Sequence, residues 1–99
     1  MKILLPFVDL YDNDINHPMI TGGAELFCRH LNNHFDVVVH QIPIAALKYS
    51  IRERNRISLD IIDEANEINA DIIVSNFSGS IFSGVKLLES NIPIMILEI

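Results

Sequence analysis

Apolar residues along the chain form short continuous runs. These alternate with longer stretches in which apolar positions recur every three or four residues. Lys2 to Val8 is a near-continuous apolar run, as expected of a strand buried on both faces of a parallel sheet. A polar loop is expected from Asp9 to Thr21, which holds Pro18 and several turn formers. Gly22-Gly23 then opens a helix with Ala24, Phe27, Cys28 and Leu31 on one face, ended by Asn32, Asn33 and His34. Asp36 to His40 reads as a second strand, closed by Pro43. Ala45 to Tyr49 offers a short helical turn, and Arg52 to Arg56 is too polar to be core. From Ile57 the helical pattern returns, with Ile57, Ile61, Ala65 and Ile68 on one face and an end near Asn69. Asp71 to Ser75 is a third strand and Asn76 to Gly79 a turn. Ser80 can cap a helix carrying Ile81, Val85 and Leu88, and Ile92 to Leu97 is a fourth strand.

Strands and helices that alternate through short connections predict an α/β fold. The expected form is a Rossmann-like parallel sheet of about four strands with right-handed crossovers and helices on both faces. In the strand order 3-2-1-4, the winding reverses between the first and fourth strands. Ligands bind outside the carboxyl ends of the strands at such a point. Asp9 to Gly23, Asn76 to Gly79, and Glu98 are the residues expected there.

Composition narrows the classes. Of 99 residues, 49% are hydrophobic and 20% charged, and the mean hydropathy of +0.31 excludes intrinsic disorder. A net charge of -6 disfavours a stand-alone nucleic-acid binder. The single cysteine, Cys28, excludes an internal disulfide and reads as a buried, reduced thiol. No run reaches the roughly 18 apolar residues of a membrane span, and no signal-peptide pattern is present, so the expected location is cytoplasmic. The abundance of isoleucine and asparagine suits an AT-rich coding sequence, as in many phages and low-GC bacteria. The location would then be the host cytoplasm. Length predicts one domain over residues 1–99. That domain is expected to be truncated, because the chain stops inside its most apolar run, Ile92 to Ile99.

The segment Thr21-Gly22-Gly23-Ala24-Glu25 carries the most chemistry. Two glycines at a helix N-terminus let the backbone approach a phosphate, which the free N–H groups and the positive end of the helix dipole favour. Equally, they can serve only a tight strand-to-helix turn. Asp14 and His17 can contact an acceptor hydroxyl or merely shape the turn with Pro18. Ser78 can line the cleft beside Asn76. His30 and His34 have the i, i+4 spacing of metal ligands, but no third ligand accompanies them, so a solvated face is expected and no metal site. Lys48, Arg52, Arg54 and Arg56 gather much of the positive charge, interrupted by Glu53, and likewise read as a solvated face.

An apolar strand, a variable loop and then Gly-Gly-Ala-Glu followed by Leu31 resembles the start of family 4 glycosyltransferases of the GT-B fold. Asp71-Ile72-Ile73-Val74-Ser75-Asn76 is similar to that family's third-strand segment, and Ile92 to Glu98 to its next strand. The resemblance implies part of an amino-terminal domain in a retaining enzyme that moves a sugar from a nucleotide donor, expected to be a UDP-sugar. The acceptor would be a glycan, a lipid-linked sugar or modified phage DNA. Gly22 and Gly23 match the loop that reaches the donor diphosphate. Asp14, His17, Asn76, Ser78 and Glu98 fall on the acceptor side. Two departures stand out: Val74-Ser75-Asn76 replaces the histidine often found after the third strand, and the carboxyl-terminal domain with its paired glutamates is absent. The isolated chain is therefore expected to be inactive. A different class of reading is a non-catalytic remnant that self-associates through an exposed sheet edge. A receiver-like module is disfavoured, because Ser75-Asn76 stands where that module needs an aspartate.

Overall fold

Lys2–Val8 forms the first strand, β1, of the computed structural model, which describes residues 1–8, 10, 12, 14–75 and 89–96. Helix α1 (Gly23–His34) follows, then β2 (Asp36–Ile42), a 3-10 turn (Ile44–Lys48), helix α2 (Ile51–Glu67), β3 (Ile72–Ser75) and β4 (Ile94–Ile96). All four strands are parallel, so the α/β class and the parallel sheet are as the pattern predicted.

The order across the sheet is β2-β1-β3-β4, not 3-2-1-4. Composition accounts for the difference. Asp36, His40 and Gln41 leave β2 only partly buried, which suits an edge, while the apolar β1 and β3 pair with each other inside. Asp71 locks that pairing: its N–H donates to the Lys2 carbonyl at 2.8 Å and its Oδ2 accepts from the Lys2 N–H at 2.8 Å. The winding therefore reverses between β1 and β3.

Alternation along β1 feeds two cores. Ile3, Leu5 and Phe7 pack with Cys28 of α1 and Val74, whereas Leu4 packs with Ile42, Ile61, Ala65 and Ile73 beneath α2. Each of Leu4 and Leu5 is fully buried, which contributes roughly 1.5–3 kcal/mol.

Pro6 sits in the middle of this central strand without an N–H to give. Pairing with β2 continues past it to Val8 opposite Ile42, whereas pairing with β3 covers only Ile3 and Leu4. A ladder can pass a proline only through the residues on either side of it. Leu5 and Phe7 therefore bond toward β2, and the missing Pro6 donor faces β3.

Helix α2 starts six residues earlier than the apolar pattern suggested. Ser50 caps it, accepting the Glu53 N–H at 3.3 Å, and the Ser50 hydroxyl donates to Glu53 Oε1 at 2.9 Å, at the spacing of a capping box. Arg52 and Arg56 ride on its exposed side, which is why a polar stretch is helical. Its end is equally defined. Asn69 takes a left-handed φ of 55°, with Ala70 N–H donating to the Ala65 carbonyl and Asn69 N–H to that of Asn66. Ser50→Ala is expected to destabilise the fold by about 1 kcal/mol, read as a lower urea midpoint at unchanged slope.

No helix among the described residues is long and apolar enough to cross a membrane. The helix expected after Ser80 lies outside the described residues.

Candidate functional site at the carboxyl end of the sheet

The segment from β1 to α1 runs out over the carboxyl end of the sheet, where the winding reverses. It is not simply polar. Leu10, Ile15 and Ile20 are buried in the same cluster as Cys28 and Phe7, so the chain is pegged to the α1 face at three points. Two long side chains complete the anchoring. Gln41 of β2 accepts the Leu10 N–H through Oε1 and donates from Nε2 to the Leu10 carbonyl, both at 3.2 Å, so its carboxamide imitates a neighbouring peptide. Arg29 of α1 donates from Nε to the Ile15 carbonyl at 2.9 Å and from its terminal nitrogen to the His17 carbonyl at 2.6 Å.

Asp14 and His17 are thereby brought into one turn. Asp14 Oδ1 accepts the Asn16 N–H at 3.0 Å, its carbonyl accepts the His17 N–H at 3.1 Å, and the His17 carbonyl accepts that of Ile20 at 3.1 Å. The His17 ring accepts the Met19 N–H on Nδ1 at 3.1 Å, and Nε2 lies 3.4 Å from Asp12 Oδ2. Both residues therefore shape the turn. Neither Arg29 nor Gln41 was singled out from the sequence, because each acts on backbone 12 to 31 residues away.

Gly22 and Gly23 follow on the surface. Gly22 is the N-cap of α1 at φ -67° and ψ 144°, a conformation open to any residue, and neither glycine has a positive φ. Turn geometry therefore does not demand glycine here. What glycine supplies is an uncluttered backbone at the positive end of a helix. The neighbouring charge is Glu25, whose Oε1 lies 3.2 Å from where a Gly22 Cβ would stand. Asn76, Ser78 and Glu98 lie outside the described residues.

The remaining candidates do not gather here. His30 and His34 meet edge-on with ring centres 4.5 Å apart on the exposed side of α1, and no group of three metal-binding side chains occurs among the described residues. His40 of β2 contacts Glu64 of α2 on the opposite face of the sheet. A depression of about 270 Å³ lies at Ser90–Ile94, before β4 and thus at the other end of the sheet. A wholly apolar groove of about 220 Å³ runs between α1 and strands β1, β3 and β4, lined by Phe27, Leu31, Phe35, Ile72, Val74 and Met95 among others.

Cys28 lies under the anchored segment and is fully buried. Burial first, and then the negative charge of Glu25, push its thiol from 9.0 up to about 11. The neutral thiol is thus favoured by folding. That contribution is complete below about pH 9 and is lost as pH rises toward 11, because the unfolded thiol ionises first. Urea midpoints are expected to fall between pH 8.5 and 11 in the wild type, and to fall less steeply in Cys28→Ala. Alkylation of native Cys28 at pH 7 is expected to be slow, since the thiolate is scarce and covered.

Comparison of the chain with protein-family models, with curated proteins and with solved structures finds no match in any of the three.

Proposed function

We propose that this chain is the amino-terminal, acceptor-side part of a retaining glycosyltransferase of GT-B type. The donor is a nucleotide sugar, a UDP-sugar on the family resemblance. The acceptor is a glycan, a lipid-linked sugar or modified phage DNA. The observation that carries the reading is the exposed Gly22-Gly23 pair at the N-terminus of α1, at the carboxyl end of a parallel sheet, where no positive φ requires glycine. Gly22 and Gly23 would meet the donor diphosphate. Asp14, His17, Asn76, Ser78 and Glu98 remain the acceptor-side residues of the proposal, with Asp14 and His17 acting through the shape of their turn. Catalysis would need a second domain to hold the nucleotide, so the 99 residues alone would be inactive. The test is to assay the full-length gene product with a panel of nucleotide sugars, following transfer and donor hydrolysis. Activity with one donor supports the reading, and inactivity with every donor defeats it.

A second reading rests on the apolar groove and on β4, which stands at the edge of the sheet with Met95 exposed. A remnant without chemistry would use these surfaces to self-associate. Sedimentation of the 99-residue chain as a monomer at high concentration would remove it.

A further inference from the structure

The His17 ring is engaged at both nitrogens, in opposite senses. Nδ1 accepts the Met19 N–H at 3.1 Å, so it carries no proton in this arrangement. The proton of the neutral ring is then on Nε2, the nitrogen 3.4 Å from Asp12 Oδ2. A proton added to Nδ1 would set one N–H against another and abolish the Met19 bond. The same proton makes the ring a cation facing the Asp12 carboxylate. Asp12 itself holds a left-handed φ of 49°, a backbone position that the surrounding contacts must support.

We propose that His17 is a pH-operated latch on the segment between β1 and α1. The neutral ring closes the turn onto Met19. The protonated ring releases Met19 and keeps Asp12, now as an ion pair. Among the described residues, the charged groups the hydrogen bonds and ion pairs bring to this turn are Asp12 and Asp14 from the segment itself and Arg29 from α1. Arg29 acts on the His17 carbonyl and does not compete for the ring. The ring is 23% exposed, so solvent can deliver the proton, and Met19 lies on the surface beside it. Opening is therefore local and reversible. Ile20, buried beside it, stays pegged and limits the change to the residues just before Gly22. The proposal stands independently of any transferase activity.

The experiment is NMR on the full 99-residue chain, followed from the neutral to the protonated ring of His17. Ring nitrogen shifts should place the neutral proton on Nε2. Protection of the Met19 amide against exchange, corrected for intrinsic rates, should fall by roughly fivefold as the ring is protonated, the weight of one modest hydrogen bond. The Ile20 amide, bonded to the His17 carbonyl, should keep its protection. His17→Asn should hold Met19 at every pH, because its Oδ1 can accept the same N–H without titrating. His17→Gln should leave Met19 unprotected throughout. A neutral proton on Nδ1, a Met19 amide indifferent to ring protonation, or a persistent pH response in His17→Asn would each overturn the latch.

Discussion

Replacing Leu4 with alanine is expected to destabilise the protein by on the order of 3 kcal/mol and to lower Tm by roughly 12–24 °C. Leu4 is completely buried in the central strand, opposite Val38 on one side and Ile73 on the other, with α2 packed above it. Several neighbours in that core, Ala46, Ala65 and Ala70, are already small. They have no long side chain to swing into the space, so the cavity would stay open and its cost would add to that of the lost burial. Thermal and urea unfolding followed by circular dichroism measure it. A loss below 1 kcal/mol would mean that the α2 side of the sheet is not packed as described. Since a domain of this size is stabilised by only about 5–15 kcal/mol, the variant should remain folded at low temperature.

Gly22→Ala is expected to do the opposite: to leave the fold alone and damage transfer. Its backbone conformation suits alanine, and the added Cβ meets only the flexible end of Glu25 at 3.2 Å. Because Gly22 is the N-cap, where glycine is favoured over alanine, stability should fall by no more than about 1 kcal/mol, which leaves the protein folded. In the full-length enzyme of the proposal, the methyl group would stand where the diphosphate approaches the N-terminus of α1. A loss of about 1.4 kcal/mol or more there is a fall of at least about tenfold in kcat/KM. Steady-state kinetics with the active donor decide. Unchanged kinetics in a folded variant would remove the glycines from the donor site and with them the main support for the transferase reading.

Much of the architecture was legible because burial on both faces leaves a continuous apolar signature. The Lys2–Val8 strand and the α1 helix follow from that signature and from the 3.6-residue period, and the class of the sheet follows from their alternation. The start of α2 is hidden, since Arg52, Glu53 and Arg56 are polar for reasons of exposure, while Ser50 and Glu53 hold the local evidence in their capping spacing. Strand order is not legible for a related reason. The polar residues of β2 that mark it as an edge were available, but the pairing of Asp71 with Lys2 spans 69 positions. At the candidate site, Gly22 and Gly23 stood out as a pair, and the turn-forming character of Asp14 and His17 was weighed beside an acceptor role. The anchors Arg29 and Gln41 left no pattern, because a side chain bonding to distant backbone obeys no sequence period.

Pro6 has one more consequence, and it concerns preorganisation. Because its ring removes a donor permanently, the rung that would join β1 to β3 just before their carboxyl ends cannot form under any condition. The β3 carbonyl opposite it receives no N–H from β1 at that rung. A ligand donor offered to that carbonyl would have no β1 ladder bond to displace, so less of its binding free energy would go into reshaping the protein. A single imino acid thus leaves the sheet one donor short at the point where its winding reverses.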